Sequence, residues 1–306
     1  MKLSNAVQGF LLHKKLEFSH TTVPSYQWAL DHLIDFLGDV EVSGITTADL
    51  RLLFDHLLTE HKLSRRSIKD IWARLSSFWT WAEAELEVKH VIKGKIKQPS
   101  YTKKKVIPLT EAEIKAILVA TWYNKEWETR NGRKVKSKRP TALRDRAIIL
   151  TLLDTGARAS ELCSLTIDDY DKKRGRILIQ HGKRDKERIV TIGLRTQKAL
   201  WRYLADRTDG KPSAPLFATN EGYHLKRDNL YRIVVTIGKN AGVKHVHPHR
   251  YRHTFAITFL RNGGNVPLLK ELLGHEKIEM VLEYARIAEI DIDAAVKFSV
   301  ADNWRI

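Results

Sequence analysis

The sequence predicts a mainly α-helical chain with a small β-sheet, in the α+β class. Three observations predict it. Apolar residues recur at three- and four-residue spacing from residue 4 to about 98, and again in several later stretches. Alternating β-branched residues are confined to two short neighbouring runs, 176–180 and 189–192. Between the helical regions, KGKIKQPSYTKKKVIP (93–108) combines Lys, Gly and Pro with little periodicity. The chain is therefore expected to hold a helical domain over 1–98, a basic linker over 99–109 and a second domain over 110–306.

In the first domain, Val7, Phe10 and Leu11 mark one helix. Tyr26, Leu30, Leu33, Ile34 and Leu37 mark the next, with Thr21 or Thr22 as N-cap before Pro24 and Gly38 as the stop. Thr47 is expected to cap a third helix carrying Leu50, Leu53, Phe54 and Leu57. Ser64 opens a fourth, in which Ile68, Ile71, Leu75, Phe78, Trp79 and Ala82 share one face. Arg65, Arg66, Lys69 and Arg74 lie around its start and polar side. They suit a solvated face or phosphate contacts.

In the second domain, Thr110 and Glu113 form a capping box for a helix through Ile117 and Leu118. The basic stretch 122–140 holds Asn131 and Gly132, the signature of a two-residue type I′ hairpin, which serves either as a DNA-touching finger or as an exposed insertion. A helix over 142–153 is broken by Gly156. Ser160, Glu161 and Leu162 begin another, so Arg158 lies at a helix junction. The two alternating runs form a hairpin whose turn, HGKRDKE, carries Gly182 and Lys183. Helices through Leu200 and Leu204 and over 229–240 follow. Pro248 starts a helix that puts His249 and Arg252, three apart, on one face. Pro267 starts the next, Gly274 ends it, and His275 follows in a tight turn. Tyr284 sits in a third helix.

Composition narrows the function. The 306 residues carry a net charge of +17 and a pI of about 9.8, which favours a polyanionic partner. Cys163 is the single cysteine, which excludes an intrachain disulfide and a cysteine-rich zinc site. The N-terminus lacks the pattern of a signal peptide, and no apolar run reaches the ~20 residues that span a bilayer. His249 and His253 are four apart, a spacing that suits zinc. No Glu follows the first His, no third ligand is evident, and Arg250 and Arg252 add positive charge, so no metal is expected.

Arg158, Lys183, His249-x-x-Arg252, His275 and Tyr284, in this order and spacing, resemble the tyrosine site-specific recombinases, phage integrases and Xer recombinases among them. ITTADL and LSRRSIKDIWARLSSFWTWA resemble that family's core-binding domain. TGARASEL, the Gly-Lys hairpin, HRYRHTFA and LLGH followed by Tyr resemble its catalytic domain. Taken singly, these residues have plainer readings: Tyr284 as a half-buried core tyrosine, His275 and Lys183 as turn residues, Arg158 as a capping or surface arginine, Glu161 as a helix N-terminal charge.

The resemblance implies a phosphoryl-transfer site. Tyr284 would be the nucleophile, and Arg158 and Arg252 would clamp the nonbridging phosphate oxygens. His249 would accept the tyrosine proton, Lys183 would protonate the leaving 5′ oxygen, His275 would hydrogen-bond the phosphate, and Glu161 would support the arginine and the histidine. The product would be a 3′-phosphotyrosyl link, needing no metal, cofactor or ATP. DNA contacts are expected from Arg65, Arg66, Lys69 and Arg74 and, on the hairpin turn, from Arg184, Lys186 and Arg188. The implied partners are a double-stranded recombination site and three further copies of the chain in a tetramer. Residues 289–306 would dock on the neighbouring protomer, and the protein would be cytoplasmic, on the nucleoid. The basic insertion around Asn131 points towards a mobile-element or phage-like enzyme. An architectural DNA-binding protein with idle catalytic residues and a type IB topoisomerase are the alternatives.

Overall fold

The computed structural model describes residues 1–18, 22–102, 106–124, 127–129, 131–135, 137–180, 187–207 and 210–288. The chain divides into two compact units, Met1–Lys104 and Lys105–Ile306. Among the described residues no helix is long and apolar enough to cross a membrane.

The first unit is built from α1 (Leu3–Glu17), α2 (Val23–Leu37), α3 (Thr47–Thr59) and α4 (Arg65–Glu85), with one 3-10 turn at Val42–Gly44. Ser64 caps α4 by accepting from the Ser67 amide, and Gly38 ends α2 with a φ of 74°. The predicted face of α4 is its buried face. It meets Leu3, Phe10, Leu30, Leu33 and Leu53 in one core, with the Phe78 ring edge-on to Phe10 at 5.5 Å.

Two expectations are corrected here. The cap of α3 is Thr46, which shares a capping box with Asp49, while the Thr47 hydroxyl donates instead to the Val91 carbonyl at 2.9 Å. The helical spacing past residue 85 does not make a helix. Glu87 and Gly94 adopt left-handed φ values of 53° and 71°, and His90 Nδ1 accepts from the amides of Ile92 and Lys93. Buried Val91 and Ile92 hold this turn segment on the bundle. Arg65 and Arg66 are exposed, Lys69 lies 5.6 Å from the centre of the Tyr101 ring, and Arg74 donates to the Asp70 carbonyl.

The second unit runs α5 (Glu111–Ala120), β1 (Trp127–Glu128), β2 (Lys134–Val135), α6 (Ala142–Thr155), α7 (Ala159–Ser164), β3 (Tyr170–Asp171), β4 (Arg176–Ile179), β5 (Arg188–Thr191), α8 (Leu194–Ala205), α9 (Arg227–Asn240), α10 (Pro248–Arg261), α11 (Val266–Leu273) and α12 (Glu279–Ala288). Thr110 and Glu113 do form a capping box on α5, and Arg250 ties the start of α10 to the same Glu113 carboxylate. The sheet is antiparallel in the order β3-β4-β5, with Ile177, Ile179 and Val190 turned into the core. α6 lies in the middle and contacts α8 and α10. Its Ala147, Ile148, Ile149 and Leu152 are fully buried.

The basic hairpin is also corrected. Thr129 and Arg133 pair across it, and the Gly132 amide donates back to the Thr129 carbonyl. The pair that closes the turn is therefore Thr129 and Arg133, which do not directly flank Asn131 and Gly132 as a two-residue turn requires. Gly132 has positive φ (74°) and Asn131 does not, so the turn ends in a left-handed glycine rather than a type I′ pair.

Gly156 ends α6 in a left-handed conformation with φ 58°. A Cβ added there would lie 2.5 Å from Phe255 Cδ1 and 3.0 Å from Leu273 Cδ2. Gly156→Ala should therefore destabilise the protein by about 2–4 kcal/mol, combining overpacking with the left-handed penalty. Urea unfolding measures this, and a variant as stable as the parent would contradict it.

Candidate active site

α10 carries the site and part of the core on one stripe. His249, Arg252 and His253 continue down the helix into Ala256, Ile257 and Leu260, which are buried against α11 and α12. The apolar half of the stripe fixes the helix. The polar half is thereby held at the edge of the same core. The His247 ring opens the helix by accepting from the Arg250 amide.

The end of α11 gathers three arginines. Gly274 turns left-handed at φ 62°, and the His275 amide bonds back to the Lys270 carbonyl, which closes the helix. The last carbonyls of a helix have no partner inside it and carry the negative end of its dipole. Here Leu272 O accepts from Arg188 Nε at 2.7 Å, Leu273 O from Arg252 Nη2 at 2.7 Å and Gly274 O from Arg158 Nη2 at 3.0 Å. Arg252 also donates to Gly156 O, at the end of α6, at 2.8 Å. Two helix ends thus set the guanidinium of Arg252, which is 3% exposed. Burial and the Arg158 charge pull its pKa down to about 10, which leaves it protonated at neutral pH.

Glu161 binds two of these arginines. Its carboxylate accepts from Arg158 Nη1 and the Arg158 amide, at 2.7 and 2.8 Å, and from Arg188 Nη2 at 2.7 Å. Burial pushes this carboxyl up, but Arg188 and Arg158 outweigh it and lower the pKa to about 2. Arg188, expected on the surface as a DNA contact, is instead buried and bound by Glu161. It points inward from β5 on the same side as Val190, is 8% exposed, and joins the sheet to α7 and α11.

This carboxylate makes a pH prediction. Its folded pKa lies below its unfolded one, so its stabilisation is present above about pH 4.5 and is lost as the pH falls towards 2. The shift is worth on the order of 3 kcal/mol. Chemical unfolding followed against pH should show this loss in the parent and a flatter profile in Glu161→Gln. Equal slopes would contradict it.

Tyr284 projects from α12 on the stripe Val281, Tyr284, Ala288 and is 7% exposed. Its hydroxyl shares a hydrogen bond of 2.8 Å with Nδ1 of His253. Burial raises its pKa above the usual phenol value, against the lowering effect of Arg252 and Arg158. His275 is 8% exposed, with its ring centre 6.4 Å from that of Tyr284. Its Nδ1 has no hydrogen-bond partner among the described residues. Burial and the charges of Arg252, Arg158 and Arg188 lower its pKa to about 4. His249 is exposed at the mouth of this group; the protein around it, then Arg252, Arg158 and Arg227, lower its pKa as well.

The fold thus brings Arg158, Glu161, Arg252, His275 and Tyr284 together, with His249 at the edge. The tyrosine hydroxyl meets His253 rather than the expected His249. His253 is the residue the sequence reading passed over. Its signal was the four-residue spacing from His249, which puts both on the face that points at α12, with ring centres 6.0 Å apart. Lys183, Arg184, Lys186 and the segment 289–306 lie outside the described residues.

The arrangement suits an anion with several oxygens. Of the five N–H donors of Arg252, two are engaged by carbonyls among the described residues. A buried neutral imidazole and a buried phenol stand beside it.

Two family models match the chain: the phage integrase family over residues 108–289, and the phage integrase N-terminal SAM-like domain over residues 8–86. Tyrosine recombinase XerC of Oceanobacillus iheyensis is 30% identical, covering 88% of this chain and 86% of its own. Tyrosine recombinase XerC of Bacillus pumilus is 29% identical, covering 92% of each. A crystallised lambda integrase dimer bound to a COC′ core site shares the fold, with a TM-score of 0.73 at 17% identity over 92% of this chain and 97% of that one.

Proposed function

The chain belongs to the phage integrase family, and from that premise we propose that it is a site-specific DNA recombinase that cuts and rejoins strands through a 3′-phosphotyrosyl intermediate. The observation that carries this reading is the meeting of Arg158 and Arg252 on consecutive carbonyls of α11, beside the buried hydroxyl of Tyr284.

Each proposed role follows from the chemistry. Attack on a phosphodiester builds negative charge on the nonbridging oxygens. Guanidinium donors fixed before the substrate arrives stabilise that charge without reorganisation. Arg158 and Arg252 form this clamp. Glu161 holds Arg158 in place, and Arg188 holds Glu161. His275 offers its partnerless Nδ1 to the phosphate, and His249 lines the mouth from the side of the two clamp arginines. Lys183 protonates the leaving 5′ oxygen. The bond energy is kept in the phosphotyrosine, so rejoining consumes no ATP.

The helical domain over 1–98, with Arg65, Arg66, Lys69 and Arg74, and the catalytic domain over 110–306 each contact the duplex. The basic linker over 99–109 joins the two. Arg184 and Lys186 contact DNA beside Lys183. Four copies assemble on two synapsed sites, each passing residues 289–306 to a neighbour, in the cytoplasm on the nucleoid. Integration, excision or resolution of a mobile element or replicon is the biological outcome.

The test begins with selection of bound duplexes from a randomised library. The recovered duplex is then nicked beside the cleavage point, so that the cut fragment diffuses away. A denaturation-resistant protein–DNA adduct should form, with a free 5′ hydroxyl on the released fragment and the DNA mapped to Tyr284. A bound duplex that never forms an adduct would overturn the reading, as would linkage to another residue.

A further inference from the structure

We propose that His253 is the proton acceptor for Tyr284, a further catalytic residue of this site. The inference rests on the recombinase reading above. Its observation is a single contact: Nδ1 of His253 lies 2.8 Å from the hydroxyl of Tyr284, within the reach required of a general base. The ring centres are 5.6 Å apart and the planes tilted by 51°, so the approach is through the ring nitrogen rather than by stacking.

No other hydrogen bond to that hydroxyl is present among the described residues. His275 is near, but its ring centre is 6.4 Å from that of the tyrosine, and its Nδ1 has no partner among the described residues. His249 lies one helical turn before His253, with its ring 6.0 Å away, and no hydrogen bond from it to Tyr284 is present among the described residues. The position of His253 is fixed by the clamp itself, because the preceding residue, Arg252, is pinned by Gly156 O and Leu273 O. One turn of α10 therefore sets both the cation that draws charge onto the phosphate and the base that takes the proton.

The ionisation states agree with this geometry. Burial, then the neighbouring His249, His247 and Arg252, lower the His253 pKa to about 4, against the opposing charge of Glu283. The ring is neutral at physiological pH and offers a lone pair. The phenol is raised above its usual value by burial and gains most from an acceptor. In the step, the O–H proton of Tyr284 moves to His253 Nδ1 while the phenolic oxygen bonds to phosphorus. The bond from phosphorus to the bridging 5′ oxygen breaks, and Lys183 supplies that oxygen with a proton. On rejoining, the 5′ hydroxyl gives its proton back to Lys183 as its oxygen attacks phosphorus, the bond from phosphorus to the phenolic oxygen breaks, and the imidazolium returns its proton to the departing phenolate.

The test uses the full chain with the nicked duplex recovered by the selection above, and follows single-turnover adduct formation. His253→Ala should slow the step about 100- to 1000-fold with duplex affinity nearly unchanged, the usual loss for a missing general base. His253→Asn still reaches the hydroxyl but takes up no proton, and should be as slow as His253→Ala. A ring-fluorinated tyrosine at position 284, whose phenol is more acidic, should recover at least about tenfold in the His253→Ala background. If His253→Asn cleaves within a few-fold of the parent, or the acidic phenol recovers nothing, His253 only positions the tyrosine and the proposal is overturned. A parent chain that forms no adduct overturns the recombinase reading and this proposal with it. A parent that forms the adduct while His253→Ala keeps full rate overturns this proposal alone. Without DNA, the 15N resonance of His253 Nδ1 should move in Tyr284→Phe, and an unmoved resonance would refute the contact.

Discussion

Tyr284→Phe should abolish the covalent adduct and leave the folded protein and its duplex complex in place. The substitution removes one oxygen and nothing else. The stripe Val281, Tyr284, Ala288 keeps its apolar surface, so α12 still packs on α10. The lost hydrogen bond to His253 should lower stability by about 1 kcal/mol, the ordinary worth of such a pair. The cations of Arg158, Arg188 and Arg252 are untouched, so the affinity for DNA should change little. Phenylalanine cannot attack phosphorus, and His253 cannot substitute without moving, because α10 holds it. The expected result on a denaturing gel is no adduct at any time, alongside a normal shift on a native gel. Adduct formation by Tyr284→Phe would show that another residue is the nucleophile. Loss of folding instead would show that the hydroxyl matters more to the core than its single hydrogen bond implies.

Much of this architecture is written in local patterns. The apolar face of α4 was legible because six residues repeat at helical spacing, and all six are buried. Pro248, Pro267 and Gly274 marked where α10 and α11 start and stop, since each has a backbone preference that needs no tertiary context. The site itself was legible only as a set of residues. That Arg158, Arg188 and Arg252 share the last carbonyls of α11 depends on contacts across the chain, which spacing does not encode. Arg188 looked like a surface base because it stands in a basic turn. Counting back by two from Val190 puts it on the inward face, where Glu161 awaits it. The four-residue spacing of His253 from His249 also suits zinc, and only the fold shows that this face meets Tyr284 of α12. The segment after α4 misled in the opposite sense. Val88, Val91, Ile92 and Ile96 have helical spacing, but Glu87 and Gly94 turn left-handed, and the apolar residues cover the bundle as a loop.

Arg252→Lys keeps the charge and should still cripple the protein's chemistry. The guanidinium of Arg252 joins two helix ends at once, Gly156 O of α6 and Leu273 O of α11, and lies 3% exposed. A lysine ammonium is a compact point charge without the planar fork. It can satisfy one of these carbonyls well, but not both while also facing a phosphate. The carbonyl left over is buried, and an unsatisfied buried acceptor costs about 1–3 kcal/mol. The protein should therefore unfold at lower urea by an amount in that range. The larger effect is on cleavage. Fixed arginine donors on a transferring phosphoryl group are worth about 10³- to 10⁵-fold, and the lysine retains only the unspecific part of that attraction. Adduct formation should fall at least about 10³-fold, while duplex binding, which follows net charge, changes little. Arg158→Lys separates the two effects. Arg158 is more open, with 30% of its side chain exposed, and one of its partners, Glu161, keeps Arg188 when Arg158 is gone. It should lose a comparable share of rate with a smaller loss of stability. If Arg252→Lys cleaved at the parental rate, positive charge alone would suffice at this position, and the two helix ends that aim the guanidinium would be serving the fold rather than the reaction.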